Sequence, residues 1–339
     1  MNVVEELRLP GLEQALGRVE DALSRAVQAG DALLSDVAGH LAAAGGKRLR
    51  PALVISSAHA CSISLKDASE LSEEVIQGGV AVELVHLGSL YHDDVMDEAE
   101  HRRGVQSVNA RWGNLVAILS GDFLLARASE VAASLGTEVA TLLARTIARL
   151  CEGEVTQLTY AFNTERPESA YLSSIAGKTA SLIAASARLG ALTSGAPPEW
   201  VDALTEYGHA TGMAFQIWDD VRDLVSSEDL LGKPACHDMV EGTYTLPVIR
   251  ALAVEGVGDD LRALLGRPLD FPTRDKARDL ILSTTALEES VGEARRWVAR
   301  ADGALQVLRS AADGNLDALE RLDFLGQIGH RLLDTLAVP

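Results

Sequence analysis

The stretch LEQALGRVEDALSRAV at Leu12–Val27 places apolar side chains at Leu12, Ala15, Leu16, Val19, Ala22, Leu23, Ala26 and Val27. That three-and-four spacing marks one face of an amphipathic helix, whereas a half-buried strand would alternate. Working outward, the same period recurs over roughly 31–44, 69–96, 114–135, 138–160, 168–194, 199–224, 245–254, 273–282, 287–312 and 316–336. The breaks carry stop signals: Gly45-Gly46, Gly104, Gly136, Gly195 before Pro197-Pro198, and Gly232 with Pro234. None is long enough to be a linker. We read an all-α chain folded as a single domain over residues 1–339. Its runs at 168–194 and 199–224 are rich in small residues, which permit close helix packing or leave space between helices.

Composition narrows the function classes. With 339 residues, 47% of them hydrophobic and 23% charged, the chain is neither low-complexity nor mainly disordered. A net charge of -19 without a basic run argues against nucleic acid as a partner. Cys61, Cys151 and Cys236 are widely spaced and form no CxxC, so they indicate neither a disulfide framework nor a zinc site and fit a reducing cytoplasm. No run of about 18 uncharged apolar residues occurs, so we expect a soluble, unexported protein without a transmembrane segment.

The run ending in Val82, Leu84, Val85, Leu87 and Leu90 leads into His92-Asp93-Asp94-Val95-Met96-Asp97, followed by Arg102-Arg103-Gly104. Asp93 and Asp97 are i,i+4 on one helix face, a like-charge spacing that costs about 0.2–0.5 kcal/mol in isolation. They also sit toward a helix C-terminus, where the macrodipole disfavours anions. A solvated acidic helix end beside two arginines would explain one such cluster. The device recurs, however: Phe215-Gln216-Ile217-Trp218 leads into Asp219-Asp220-Val221-Arg222-Asp223.

Two oxygen-only clusters suit a hard cation such as Mg²⁺, which is commonly held by a few carboxylates while substrate phosphate and water complete its shell. Cations recur beside glycines at Gly45-Gly46-Lys47-Arg48-Leu49-Arg50, Gly177-Lys178-Thr179 and Gly232-Lys233-Pro234, where they can approach phosphate oxygens. Each alone reads as surface charge. Together they describe a site for two anionic substrates, one bridged through metal and one held directly.

At this point the chain resembles the trans-isoprenyl diphosphate synthase (polyprenyl synthetase) family over nearly its whole length. The carriers are GGKRLRP at 45–51, ELVHLGSLYHDDVMDEAEHRRG at 83–104, GDFLLARA at 121–128, GKTASL at 177–182, FQIWDDVRDL at 215–224 and GKPACHDMVEGTYTLP at 232–247. The resemblance implies antiparallel helices around a central cavity, the isoprenoid synthase fold, with the two aspartate motifs facing each other across its mouth, in a homodimer. It implies that Asp93, Asp94, Asp97, Asp219, Asp220 and Asp223 surround Mg²⁺ ions binding an allylic diphosphate, assisted by Arg102, Lys178 and Lys233. Lys47, Arg50, His86 and Arg103 would hold isopentenyl diphosphate, and Thr179 and Gln216 would adjoin the developing carbocation. The product would be an all-trans polyprenyl diphosphate, with a peripheral membrane contact at its release.

Two departures from the family pattern stand out: Thr243 replaces a lysine common in relatives, and Arg222 puts a positive charge inside the second motif. Cys236 stands where glycine is frequent and reads as an inert thiol. A terpene cyclase would not need GGKRLRP, and its pocket would use aromatic faces around cations, whereas aromatic content here is 4%. A non-catalytic partner subunit would have lost metal ligands. For chain length, Ser89 and Gly88 lie about one turn below Asp93 and Val85 one turn further. None is bulky, so products longer than geranylgeranyl diphosphate are expected, a short-chain synthase being the alternative.

Overall fold

The computed structural model describes residues 9–62, 65, 67–225, 236–312 and 316–334. It is built of helices α1 (Leu12–Ala26), α2 (Ala32–Ala43), α3 (Leu49–Cys61), α4 (Glu73–Met96), α5 (Val108–Trp112), α6 (Asn114–Ser134), α7 (Thr137–Thr159), α8 (Glu168–Ile175), α9 (Ser181–Thr193), α10 (Pro198–Val225), α11 (His237–Val240), α12 (Leu246–Leu252), α13 (Val257–Leu264), α14 (Phe271–Leu282), α15 (Ala286–Ala311) and α16 (Leu316–Asp334). A π-helical turn, Ala176–Ala180, joins α8 to α9. The strand pair among the described residues is a short hairpin, His101–Arg102 with Val105–Gln106, pairing His101 with Gln106 and Arg102 with Val105. No helix among the described residues is long and apolar enough to cross a membrane.

The chain divides into two compact units. The first comprises Met1–Ile147, Leu182–Gly208 and Leu305–Leu325; the second comprises Ala148–Ser181, His209–Ala304 and Gly326–Pro339.

In the first unit α4 is the central element. From Val75 to Leu87 nearly every residue except Gln77 and His86 is buried, on all sides of the helix, as expected of a core helix. It crosses α6 closely: a Cβ on Gly88 would lie 3.1 Å from the Gly121 carbonyl oxygen and 3.1 Å from Leu125 Cγ, and one on Gly121 would strike the His92 ring. Small residues at 88 and 121 therefore set the helix separation. α3 is absent from the periodic runs because Pro51 through Ala60 are all buried, which erases the amphipathic signal.

The second unit packs two clusters of side chains. One joins Tyr171, Ile175, Met213, Ile217, Trp218 and Leu246; the other joins Leu224, Met239, Tyr244, Val248, Leu261 and Ile281. α7 and the π turn meet at Gly153 and Gly177, where a Cβ on Gly153 would lie 2.4 Å from the Lys178 amide nitrogen. The glycine of GKTASL thus serves close helix packing, and Lys178 lies within a continuous helical run. π segments of this kind occur often at functional sites.

Candidate active site

Along α4 the burial pattern opens toward the C-terminus. His86, Ser89, Leu90 and Asp93 are half-buried and Asp97 is exposed; at 100° per residue they share one helix face. Val85 is fully buried, and Gly88 is turned onto α6. Of the three residues expected to govern chain length, Ser89 is therefore the one on the face that carries Asp93. The smallness of Gly88 has a packing cause, its contact with Gly121 and Leu125 of α6.

Within the first motif the middle aspartate differs from its neighbours. Asp94 is fully buried, and its Oδ1 accepts from Arg102 Nε at 2.7 Å and Nη2 at 2.6 Å. Its Oδ2 is buried without a hydrogen-bond partner, and burial raises its pKa while Arg102 opposes the rise. Arg102 is thus committed to the motif itself. Among the described residues no three His, Cys, Asp or Glu side chains gather closely enough to hold an ion alone. The donors nonetheless fit a hard divalent cation, which can share carboxylate oxygens with substrate phosphates instead of sitting in an all-protein cage.

Beside this face the structure gathers cations. His86 lies within electrostatic reach of Arg50, Arg103, Arg102 and Arg48; burial and then these charges hold its imidazole well below the ordinary pKa, so it is neutral at pH 7. Arg50, on the first turn of α3, has a buried Nε without a partner. Burial brings its pKa down to about 10 against the pull of Glu83. Arg103 donates to the carbonyl oxygens of Leu41 (3.0 Å) and Gly45. Lys47 is exposed. Arg48 and Glu83, to which the motifs gave no separate role, are both buried here and paired at 2.7 Å.

In the second unit a hydrogen-bond chain surrounds the other motif. Tyr171 donates to Asp220 Oδ2 at 2.6 Å, Gln216 Nε2 donates to Asp220 Oδ1 at 2.8 Å, and Thr179 donates to Gln216 Oε1 at 2.7 Å. Both oxygens of Asp220 are thus used by the protein, and burial raises its pKa, reinforced by Asp238. Asp219 is exposed, with Arg222 at 3.9 Å, and Asp223 accepts from the Asp238 amide at 3.3 Å. Lys178 pairs with Glu154 at 2.5 Å. Lys233 lies outside the described residues. Tyr171 and Glu154 escaped the sequence reading because a lone tyrosine and a lone glutamate on helices carry no motif.

Residues 31–276 match the family model for polyprenyl synthetase. The chain belongs to the polyprenyl synthetase family. It is 41% identical over 298 residues to heptaprenyl diphosphate synthase component 2 of Geobacillus stearothermophilus, covering 88% of this chain and 90% of that one. It is 42% identical over 256 residues to nonaprenyl diphosphate synthase of Mycobacterium tuberculosis, covering 75% of each. The crystal structure of a polyprenyl synthase from Caulobacter crescentus, complexed with calcium and isoprenyl diphosphate, superposes with a TM-score of 0.83 at 31% identity, covering 94% of each chain. This polyprenyl synthetase has the expected all-α fold. Its Cys236 adopts a left-handed φ of 58°, which accounts for a site where glycine is readily accommodated. The thiol is buried and its pKa pushed up to about 11, as expected of an inert group.

Proposed function

We propose that this chain condenses isopentenyl diphosphate with an allylic diphosphate, giving an all-trans polyprenyl diphosphate longer than geranylgeranyl. The carrying observation is the accessible face of α4, where His86, Ser89, Asp93 and Asp97 lie together beside a pocket of arginines. Relatives named heptaprenyl and nonaprenyl diphosphate synthase support the long product. In this reading the whole chain acts as one polyprenyl synthetase domain.

Asp93, Asp97, Asp219 and Asp223 would hold Mg²⁺, which when bound neutralises the charge growing on the diphosphate leaving group. Asp94 and Asp220 serve by holding their motifs in place. Lys178 and Lys233 add positive charge toward that diphosphate, a stabilisation that strengthens in the transition state. As the allylic C1–O bond breaks, the oxygens of Thr179 and Gln216 face the carbocation. Lys47, Arg50, His86 and Arg103 bind the second diphosphate so that its double bond attacks C1, and proton loss to the departed diphosphate completes the step.

An apolar stripe on α6, with Leu115 72%, Ile118 41% and Leu119 56% exposed, supports a homodimer built through that helix. The name "component 2" of the Geobacillus relative favours a second reading, in which a different subunit covers that stripe. Three cysteines without a disulfide support a cytoplasmic setting. Asp93→Ala and Asp219→Ala test the reaction: each should lower Mg²⁺-dependent turnover by orders of magnitude while helix content by circular dichroism is kept. Near-full activity in both variants refutes it.

A further inference from the structure

Glu83 is 1% exposed on α4, one turn before His86. Its Oε1 accepts from Arg48 Nη1 at 2.7 Å and lies 3.5 Å from Arg103 Nη2. Those arginines come from separate loops, and both occupy the left-handed region, Arg48 at φ 45° and Arg103 at φ 53°. Residues carrying a Cβ persist there only where surrounding contacts over-determine them. Arg103 and Gly104 are the two central residues of the hairpin turn, both with positive φ. Arg48 is further fixed by both Glu20 oxygens and by the Ala42 carbonyl at 2.8 Å. Arg103 is further fixed by Leu41 and Gly45.

We propose that Glu83 is a positioning residue for isopentenyl diphosphate: it ties the 45–48 loop to the 101–106 hairpin and fixes the geometry at which Arg50 and Arg103 meet the diphosphate. The sign of the charges supports this. Without a buried anion the arginines around His86 would repel one another in a low-dielectric setting. Arg48 is matched by Glu20, and Glu83 attracts both Arg103 and Arg50, so a gathered cationic pocket persists before substrate arrives. Glu83 does not touch substrate and takes no part in bond breaking. Its effect falls chiefly on the second substrate, because Glu83 pairs with Arg48 and Arg103, whereas Arg102 of the same hairpin is held separately by Asp94.

The inference rests on the prenyltransferase reading, and the test separates the two. In Glu83→Gln the KM for isopentenyl diphosphate rises about tenfold or more, as for loss of a charge-assisted pair that orients a ligand. The KM for the allylic diphosphate stays within about twofold and kcat falls less than that KM rises. Glu83→Asp restores part of the loss, and Glu20→Gln, which loosens Arg48 but leaves Glu83 beside Arg48 and Arg103, raises the KM for isopentenyl diphosphate less than Glu83→Gln does. An unchanged isopentenyl diphosphate KM in Glu83→Gln, or an equal rise for both substrates, overturns the proposal. If Glu83→Gln does not fold, Glu83→Asp carries the test, with the same selective shift at smaller size supporting the proposal and an unchanged KM overturning it. Absence of turnover in the wild type refutes the prenyltransferase reading instead.

Discussion

Tyr171 donates its phenolic hydrogen to Asp220 across 2.6 Å, with both residues buried. The bond joins α8 to the second aspartate motif on α10 and uses one of the two oxygens that Asp220 would otherwise offer to a ligand. A hydrogen bond of this kind contributes about 0.5–1.5 kcal/mol net. Tyr171→Phe should lower kcat about tenfold and raise several-fold the Mg²⁺ concentration giving half-maximal turnover, because a loosened Asp220 shifts Asp219 and Asp223 with it. Titrating turnover against Mg²⁺ checks this; an unchanged metal dependence would show that Asp220 needs no anchor.

Positions 88 and 89 separate packing from chain length. Ser89→Phe should shorten the product, since position 89 shares the face of Asp93. Gly88→Phe should instead lower the melting temperature, because the ring would meet Leu125 and the backbone of Gly121, an overpacking cost of about 1–3 kcal/mol or more. Product sizing and thermal melts of both variants decide between these assignments.

Acid sensitivity should be traceable to His59. This α3 residue is 2% exposed, neither ring nitrogen has a partner, and burial, aided by Arg321, lowers its pKa to about 4. The folded protein resists protonation there whereas the unfolded chain accepts it near 6.5. Stability is therefore full above about 6.5 and falls as the pH drops toward about 4, by up to roughly 3 kcal/mol from this group. His86 acts with the same sign. His59→Leu should flatten part of the slope in denaturant melts run from pH 7 to pH 4.5; an unaltered slope would contradict the assignment.

Helical class and both aspartate motifs were legible in the sequence because amphipathic period and short motifs are local signals. α3 was hidden because complete burial leaves no period, and the 101–106 hairpin because two-residue strands leave no alternation. Candidate site residues could be named where a motif carried them, as for Asp93, Lys178 and Gln216. The pairings of Glu83 with Arg48 and of Tyr171 with Asp220 could not, since they arise from burial and contact between residues distant in sequence. Gly88 shows the converse: a small residue near a motif looked like room for substrate, and the space beside it is occupied by α6.

The most direct test of the central claim is the length of product formed by the purified chain alone, with Mg²⁺, isopentenyl diphosphate and geranyl, farnesyl or geranylgeranyl diphosphate in turn. The account predicts all-trans products longer than geranylgeranyl diphosphate. Elongation that stops at geranylgeranyl or shorter with every primer, or turnover that requires a second protein, would contradict it.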